Sequence, residues 1–582
     1  MTADALDGFS KTPRQLEPAS RPAQRVSAAI EMGRQRIVIT ALVFSVAFAG
    51  IGLRLANLMA FGGDVDASIS TRAVPPGAGV VDRADLRDRN GLILATTLPS
   101  VSLYADPKLV LDPIEASLKL SKVLPGLDSD KLLVDLSSER RFVWLKRGLT
   151  PAQQYEVNRL GIPGLAFQNE ERRYYPAGAL TSHVVGFTNI DAQGIAGLEK
   201  GLDARLDAGE SIQLSIDLRL QEMVRNELQA TIAKFKATAG NVLIMDVNTG
   251  EILSMVSLPD FNPYEPGGVN DDAMFNRNTL GVYEMGSTFK IFNTALALES
   301  GTSTLATTYD QSPIRVGRFT IRNFRAEPQS GRWSVYEIFR QSMNTGSVHM
   351  FEAAGLERQK EFLARFGLTR PAALELPETG MPMVPRPWSQ VSGMTIAYGH
   401  GMAVTPIQLV TAVSAVVNGG TLHPPTLVKR DPSQPMPGQR VLSPELSRTM
   451  RALMRVVVTS GTATKSDVPG YFVGAKTGSA NKATRGGYNR NAGVTDFVGI
   501  FPAYAPKYIV MTMLEDPKAV EGTYGYNTAG WNAAPLGGRI IARMGPMLGV
   551  EPRDPKDPAV AQMLALPVGP VSSAQVATGG EE

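Results

Sequence analysis

Cysteine is absent from the chain, and its absence removes several kinds of chemistry at once. Without cysteine there are no disulfides, no thiolate nucleophile and no zinc site built on sulfur ligands. Histidine is scarce as well: there are four in 582 residues, none in a His-x-x-x-His pair. We therefore predict that the protein uses no metal and no cofactor. The histidines are expected to be surface or packing residues: His183, His349, His400 and His423.

A marked excess of either charge is also missing. The 58 Lys and Arg residues nearly balance the 55 Asp and Glu residues, which leaves a formal net charge of +3. So small a charge on so long a chain gives no reason to expect a nucleic-acid partner. A hydrophobic content of 43% and a charged content of 19% are typical of a globular protein with an ample core. The length predicts two or three domains.

An uncharged, mostly apolar run extends from Ile37 to Leu53 and follows a polar, basic segment, residues 1–36. At about 1.5 Å per residue, this run is just long enough to cross a bilayer core about 30 Å thick. We predict a transmembrane anchor at 37–58 and a cytoplasmic tail at 1–36, because basic residues stay inside. A cleaved signal peptide is the alternative, but both segments are long for one. The rest of the chain is then outside the cytoplasmic (inner) membrane, in the periplasm of a single-pass protein.

Two folded parts are predicted after the anchor. Residues 62–210 alternate short strands with helices, with a turn predicted at Asn90-Gly91 and helices predicted at 113–124 and 151–160. They contain no recognisable catalytic constellation, so we interpret them as an N-terminal pedestal or dimerisation-like module. Residues 211–550 begin with a hairpin that turns at Asn248-Thr249-Gly250 and end with further strands. These two groups of strands flank a long helical region. This order predicts an α+β domain with an antiparallel sheet flanked by helices and an all-helical lobe beside it. Residues 551–582 are rich in Pro, Ala and Ser and are predicted to be a disordered tail.

The second part begins its helical region with Ser287 and Lys290, which are spaced to lie on one face of a helix. A serine hydroxyl needs a base within hydrogen-bonding reach before it can act as a nucleophile. Lysine can be that base if burial at a helix N-terminus lowers its pKa. Gly286 allows a tight turn into the helix. The stretch can therefore build an activated serine without histidine.

A single Ser-x-x-Lys match is weak, and a second one occurs from Ser479 to Lys482. Taken singly, each motif is more often an ordinary helix face, helix cap or turn. Their order carries the prediction, because Ser287-x-x-Lys290 is followed by Ser342-Met343-Asn344 and then by Lys476-Thr477-Gly478. This is the ordered motif set of penicillin-binding proteins and serine β-lactamases.

Each residue of the set has a role in acyl transfer that its chemistry allows. Ser287 attacks a carbonyl, and neutral Lys290 takes its proton. Ser342 relays a proton to the leaving amine, and Asn344 holds both Lys290 and the substrate amide. Lys476 adds positive charge that favours an anionic substrate.

If Phe472 to Ser479 is an edge strand, it can bind an extended peptide by strand addition. In that strand Gly478 lets the ligand backbone approach closely, and the hydroxyls of Thr477 and Ser479 suit a carboxylate. The amides of Ser287 and Ser479 are the expected oxyanion donors.

At these motifs the sequence resembles the class B penicillin-binding proteins, from the anchor to about residue 548. The resemblance implies the penicillin-binding/serine-β-lactamase-like fold and D,D-transpeptidase activity on the D-Ala-D-Ala end of a peptidoglycan stem peptide. It also implies that β-lactams acylate Ser287. Further stretches that resemble the family are Arg83 to Ala95, Arg172 to Pro176, Gly194 to Glu199, Tyr283 to Lys290, Val404-Thr405-Pro406 with Gln408, and Asn418-Gly419-Gly420.

Glu284, Asn344 and Thr477 are most similar to the septal, division-specific (FtsI) type. That type implies an FtsW-type glycosyltransferase and other divisome membrane proteins as partners. The chain departs from the family pattern at Ala84, where Gly is frequent, at Met285, where Pro is frequent, and at Ser479, where Thr is frequent. The acceptor amine is left open by the sequence.

Four alternatives remain. The first is an elongation-type transpeptidase of the same class. The second is a hydrolase, either a β-lactamase or a carboxypeptidase, for which Glu375 or Glu378 could supply the deacylating carboxylate. The third is a β-lactam sensor that is acylated without turnover. The fourth is a non-catalytic division scaffold, which the intact motifs argue against.

Overall fold

The computed structural model describes residues 83–266, 271–325, 327–484 and 487–566, together with positions 42, 44, 45, 48 and 49. The chain divides into two compact units, Met1–Val80 and Val81–Glu582. In the described part of the chain, no helix is long and apolar enough to cross a membrane. The predicted tail at 1–36 and most of the predicted anchor at 37–58 lie outside the described residues.

The second unit begins with a five-stranded sheet in which the long strand Ile93–Ala105 pairs antiparallel with three neighbours. The hairpin that leads into it turns at Asn90, as predicted. Asp88 Oδ1 closes this turn by accepting hydrogen bonds from the amides of Asn90 and Leu92, at 2.8 and 2.9 Å. The strands of the sheet are Leu86–Arg87, Ile93–Ala105, Val143–Leu149, Leu165–Tyr174 and Ile212–Gln213.

Three amphipathic helices pack beside this sheet, and each begins at a side chain that caps its free amides. The helices are Pro113–Val123, Ser129–Leu136 and Pro151–Arg159, capped by Asp112, Asp128 and Thr150. The first and third confirm the predicted helices at 113–124 and 151–160. Their apolar faces form a core of their own, which includes Leu103, Leu120 and Leu145.

A buried ion cluster closes this region. Glu199 is fully buried and accepts hydrogen bonds from two arginines, from Arg83 Nε at 2.7 Å and from Arg173 Nε at 2.7 Å. Arg83 also pairs with Asp203 and Asp207. Removing the carboxylate of such a cluster leaves uncompensated buried charge, which costs roughly 3–5 kcal/mol. The cluster therefore fixes three distant segments of the chain to one another.

The part predicted at 211–550 contains an antiparallel sheet, as predicted, and this second sheet also has five strands. The hairpin predicted around Asn248 joins its fourth and fifth strands, and Asp246 Oδ1 accepts from the amides of Asn248 and Thr249. Helices cover both faces, so the central strands are buried throughout. The strand order is Gly474–Thr484, Gly487–Phe501, Tyr508–Glu515, Ala239–Asp246 and Ile252–Leu258.

Helices Leu218–Phe235 and Ala533–Met547 pack together against this sheet. The remaining long helices form a lobe beside it: Lys290–Glu299, Val335–Gln341, Asn344–Ala354, Leu356–Arg365, Gln390–Ile396, Pro406–Val417 and Pro444–Ser460. The shorter helices are Ser182–Val185, Gly197–Gly201, Asp203–Asp207 and Asp271–Met274. The α+β fold is thus as predicted from the motif order and from the strands that flank the helices.

Two predictions need correction. The lobe is not wholly helical, because residues 308–334 form two small antiparallel pairs, Thr308–Asp310 with Arg332–Ser334 and Ile314–Val316 with Phe319–Ile321. In the segment 551–582, predicted to be disordered, residues Pro558–Met563 are helical and Val560 is fully buried. Leu564 and Leu566 also pack against the main core, and composition does not reveal such contacts. Residues 567–582 lie outside the described part.

Candidate active site

The predicted nucleophile lies on a tight turn. Residues Gly286–Phe289 form a single turn of 3₁₀ helix, and the α-helix Lys290–Glu299 continues from it. Gly286 has a φ of +52°, and a Cβ there would lie 2.7 Å from the carbonyl oxygen of Ser479. Only glycine meets both conditions without strain. The apolar helix behind the turn is buried, which leaves Ser287 half-buried at the edge of a cavity.

Lys290 is buried directly behind the serine. Its Nζ donates to Ser287 Oγ at 3.1 Å, to Asn344 Oδ1 at 2.8 Å and to Ser342 Oγ at 3.3 Å, and it also contacts the carbonyl oxygen of Ser342. Burial lowers the pKa of Lys290 to about 8, against the opposing effect of the Glu327 charge. A lysine with this pKa gives up its proton far more readily than an exposed one, as a base for Ser287 requires.

Ser342 occupies a bend between two helices. Helix Val335–Gln341 ends at Ser342, whose φ of +65° and ψ of +38° are left-handed, and Asn344–Ala354 begins two residues later. A left-handed conformation is unfavourable for a non-glycine residue and is found where the surroundings impose it, often at functional sites. Here it places the Ser342 hydroxyl between two buried lysines.

Lys476 is the second of these lysines. Its Nζ donates to Ser342 Oγ at 2.7 Å and to the carbonyl oxygen of Thr477 at 3.2 Å, and its side chain is fully buried. Burial, and secondarily the charge of Lys290, lower the pKa of Lys476 well below its ordinary value. The positive charge predicted on Lys476 is therefore opposed by its surroundings. A continuous line of polar atoms runs from Ser287 through Lys290 and Ser342 to Lys476.

The third motif lies on an edge strand, as the hypothesis of strand addition requires. Strand Gly474–Thr484 pairs with Gly487–Phe501, and in the described part of the sheet it has no strand on its other side. Thr477 Oγ1 is 2.7 Å from Thr462 Oγ1, and Ser479 Oγ accepts from the amide of Ala529 at 3.2 Å. Both hydroxyls are thus held in place by neighbouring loops.

Position 478 requires glycine because two neighbouring oxygen atoms leave no room for a side chain. A Cβ at this position would lie 2.3 Å from Asp496 Oδ2 and 2.3 Å from the carbonyl oxygen of Met285. Asp496 is the cross-strand partner of Gly478 and is almost completely buried between the edge strand and the nucleophile turn. Burial raises the pKa of Asp496 to about 8. A carboxyl group therefore supports both halves of the site from behind.

These elements surround a cavity of about 690 Å³. The structure brings the predicted residues together around it. Six of them line the cavity, namely Ser287, Ser342, Asn344, Thr477, Gly478 and Ser479. The two lysines lie behind this wall and reach it through the contacts given above. The second Ser-x-x-Lys match is not part of this arrangement, because Lys482 pairs with Glu515 at 2.7 Å and with Asp516 at 2.8 Å.

The sequence reasoning missed several residues of the cavity wall. His400, predicted to be a surface or packing residue, lines the cavity, and its Nδ1 is 3.0 Å from Glu284 Oε2. Tyr526 and Trp531 stack with their ring centroids 5.9 Å apart, and Lys465 Nζ lies 4.3 Å from the Trp531 ring centroid. The position of Glu284 next to the Ser287 motif could have indicated the histidine contact. Nothing in the local sequence marks the other three.

The two glutamates considered as deacylating groups of a hydrolase make hydrogen bonds away from the cavity. Glu375 Oε2 accepts from the amide of Leu427 at 2.9 Å, and Glu378 Oε1 accepts from the amide of Gly197 at 3.0 Å. Neither lines the cavity. In the described part of its wall, the carboxylates are those of Glu327 and Asp516.

Two family models match the chain. Residues 240–541 match the penicillin binding protein transpeptidase domain, and residues 79–243 match the penicillin-binding protein dimerisation domain. A probable peptidoglycan D,D-transpeptidase FtsI of Caulobacter vibrioides is 38% identical over 485 residues, which cover 81% of this chain and 82% of that protein. The peptidoglycan D,D-transpeptidase FtsI of Escherichia coli is 30% identical over 505 residues, covering 81% and 84%.

A relative with a different name and two solved structures are also similar. Stage V sporulation protein D of Bacillus subtilis is 32% identical over 519 residues, covering 81% of this chain and 79% of that protein. Penicillin binding protein 3 of Mycobacterium tuberculosis, complexed with aztreonam, has a TM-score of 0.64 at 24% identity and covers 82% of this chain and 98% of its own. Its complex with ampicillin has a TM-score of 0.65 at 24% identity, covering 82% and 97%.

Proposed function

The chain belongs to the class B penicillin-binding proteins, and to the FtsI type among them, and we propose that it cross-links peptidoglycan stem peptides during septal wall synthesis. The reaction is D,D-transpeptidation through an acyl-enzyme on Ser287. The observation that carries the proposal is the convergence of two buried lysines on the Ser342 hydroxyl, with Lys290 also bonded to Ser287. That arrangement activates a serine without histidine.

In the acylation step, Ser287 Oγ attacks the carbonyl carbon between the two terminal D-Ala residues. Lys290 takes the Ser287 proton over its 3.1 Å contact as the Oγ–C bond forms. The C–N bond then breaks. Ser342, whose hydroxyl contacts both Lys290 and Lys476, relays a proton to the leaving amine. The product is an ester on Ser287 and free D-Ala.

The donor peptide lies along the free side of the edge strand Gly474–Thr484. Strand addition supplies main-chain hydrogen bonds, and the hydroxyls of Thr477 and Ser479 suit the terminal carboxylate. The Asn344 side-chain NH₂ group donates one of its two hydrogens to the carbonyl oxygen of Arg322, at 2.9 Å. Its second hydrogen can be donated to the substrate amide. The amides of Ser287 and Ser479 serve as the oxyanion donors.

A stem-peptide amine, rather than water, resolves the acyl-enzyme. Both glutamates proposed for a hydrolase are bonded elsewhere and do not line the cavity. The septal role is supported by the two FtsI relatives, whereas the sporulation relative and the family as a whole leave an elongation-type role as the alternative. Localisation of a fluorescent fusion tests this point, because a septal enzyme gathers at midcell and an elongation enzyme along the side wall.

We further propose that residues 37–58 anchor the protein in the inner membrane with residues 1–36 inside, as the hydropathy of the sequence indicates. Deleting 37–58 should then release the protein from the membrane fraction, and unchanged sedimentation would contradict the anchor. An FtsW-type glycosyltransferase is the proposed membrane partner. Cross-linking and co-purification from membranes test that pairing, which fails if no such protein is recovered.

The experiment that tests the catalytic proposal is intact-mass spectrometry of the full chain in detergent after exposure to a β-lactam. Ser287→Ala is compared with the wild type and with Ser433→Ala, a substitution on an exposed loop. The wild type and Ser433→Ala should each carry one adduct that persists for hours and maps to Ser287, and Ser287→Ala should carry none. No adduct on folded wild-type protein would overturn the proposal. An adduct lost within seconds, as hydrolysed drug accumulates, would indicate the hydrolase instead.

A further inference from the structure

We propose that Glu327 is the group that receives the acceptor amine: its carboxylate binds the incoming ammonium beside acylated Ser287 and takes its first proton. The inference rests on the proposed function and deepens it, because the donor half of the reaction is accounted for by the motifs while nothing so far binds the acceptor. The ligand class is a primary amine that is positively charged in water.

The position of Glu327 is fixed by the second motif. Glu327 follows Arg322 and Asn323, and both of these residues are hydrogen bonded to Asn344. The Asn344 side-chain amide donates to the carbonyl oxygen of Arg322 at 2.9 Å, and Asn323 Oδ1 accepts from the amides of Asn344 and Thr345 at 2.7 and 3.0 Å. Glu327 lines the same cavity as Ser287 and Asn344. The carboxylate therefore belongs to the cavity wall at the side formed by the second motif.

The contacts of Glu327 leave it able to bind a cation. One carboxylate oxygen, Oε2, accepts from the amide of Phe324 at 3.1 Å, and the Glu327 amide donates to the carbonyl oxygen of Phe324 at 2.8 Å. Among the described residues, no ion pair engages this carboxylate. The other carboxylate of the described wall differs, because Asp516 is held by Lys482 at 2.8 Å and by the amide of Gly493 at 2.8 Å.

The charges around the site explain why the acceptor needs such a group. Lys290 lies directly behind Ser287 and Lys476 contacts Ser342, so any positive charge on these lysines repels an approaching ammonium. A carboxylate in the cavity wall offsets that repulsion and attracts the ammonium to the side of the cavity where Glu327 lies. Burial also raises the pKa of Glu327 above its ordinary value, which makes it a better proton acceptor than an exposed glutamate.

Aminolysis of the Ser287 ester begins with a proton transfer. The ammonium gives one proton to the Glu327 carboxylate and becomes a neutral amine. Its nitrogen attacks the carbonyl carbon of the Ser287 ester, so that a C–N bond forms and the C–Oγ bond breaks. Neutral Lys290 takes the second proton from the nitrogen and gives it to the departing Ser287 Oγ. The products are an amide cross-link, free Ser287 and protonated Glu327, which returns its proton to solvent.

The test compares two nucleophiles on one acyl-enzyme, using the full chain in detergent. A thioester analogue of the donor acylates Ser287, and the acyl group is partitioned between water, methanol and D-alaninamide. D-alaninamide is a cation that carries no carboxylate, whereas methanol is neutral. In Glu327→Gln the ratio of aminolysis to hydrolysis should fall by about tenfold or more, because a positioned acid or base typically contributes 10²–10⁴-fold. The ratio of methanolysis to hydrolysis should change far less.

Two further variants complete the design. Glu361→Gln alters an exposed carboxylate on helix Leu356–Arg365 and should leave both ratios as in the wild type. Glu327→Asp retains a carboxylate on a shorter side chain and should give an aminolysis ratio between those of the wild type and Glu327→Gln. This variant also keeps the comparison available if Glu327→Gln folds poorly.

An aminolysis ratio in Glu327→Gln equal to that of the wild type would overturn the inference while leaving the proposed function intact. Equal losses for the amine and for methanol would also overturn it, because they would indicate a purely structural role. Failure of the wild type to form any acyl-enzyme is a different result, and it would remove the proposed function itself.

Discussion

The most informative single substitution outside the motifs is Asp496→Asn, because it removes one ionisation and keeps the shape of the side chain. Asp496 is 1% exposed, and its Oδ1 has no hydrogen-bond partner among the described residues. Burial raises its pKa from an ordinary value of 3.8 to about 8. The folded protein therefore holds this proton over a pH range in which the unfolded chain has released it.

The sign of the effect follows from proton binding. Between pH 4 and 8 the native state binds more protons at this site than the unfolded state, so the free energy of unfolding falls as the pH rises. The slope is about 1.4 kcal/mol per pH unit, which gives about 4 kcal/mol between pH 5 and pH 8. Asp496→Asn has no such term. The variant should therefore gain stability relative to the wild type across this range, with the largest advantage at pH 8.

The assay is thermal unfolding of the full chain in detergent, followed by tryptophan fluorescence at pH 5, 6.5 and 8. A unit longer than 250 residues shifts by roughly 1–2 °C per kcal/mol, so the Tm difference between variant and wild type should grow by roughly 4–8 °C from pH 5 to pH 8. Asp191→Asn, on an exposed turn, is the control and should follow the wild type. Parallel pH dependences of the wild type and Asp496→Asn would refute the reasoning, because they would mean that Asp496 titrates like an exposed carboxyl group.

Three further outcomes are expected. The rate of β-lactam acylation, measured by rapid mixing, should rise as the pH increases through about 8, because only neutral Lys290 accepts the Ser287 proton; a rate that falls over this range would contradict that role. Lys482→Met should lower the free energy of unfolding by about 1–3 kcal/mol, since Asp516 loses its cation and Glu515 keeps only Arg277 as a cation; denaturant unfolding measures this, and no change would mean that solvent replaces the bridge. Glu199→Gln should cost roughly 3–5 kcal/mol, because buried Arg173 loses its anion and Arg83 keeps only the more exposed Asp203 and Asp207; an unchanged Tm would show the cluster to be dispensable.

Much of the site could be predicted because each motif is short and continuous. Ser287 and Lys290 are one turn apart, and Thr477, Gly478 and Ser479 are consecutive residues of one strand, so local geometry already fixes their relation. The hypothesis of strand addition requires an edge strand, and the structure places the third motif on one. The hairpin at Asn248 and the helices at 113–124 and 151–160 followed from turn residues and apolar periodicity. These features depend on neighbours in sequence.

The features that escaped prediction depend on contacts between distant segments. A charged residue within a strand, such as Asp496, would ordinarily be assigned to a solvent-facing side, but helices and the nucleophile turn cover both faces of this sheet. Trp531 and Lys465 meet only after two loops are brought together. The left-handed conformation of Ser342 is imposed by the two helices it joins. No periodicity or local motif contains this information.

The motifs identify the two lysines, but their charge state depends on the distance between them and on their burial. Both Nζ atoms contact Ser342 Oγ, at 3.3 and 2.7 Å, so they are at most about 6 Å apart. Two positive charges at that distance repel by about 3 kcal/mol at an effective dielectric constant of 20, and both groups are also desolvated. The pair therefore shares fewer than two protons near neutral pH, and its titration belongs to both lysines together. An anionic substrate beside Thr477 favours the proton on Lys476 and leaves Lys290 neutral, so substrate binding itself prepares the base that Ser287 needs.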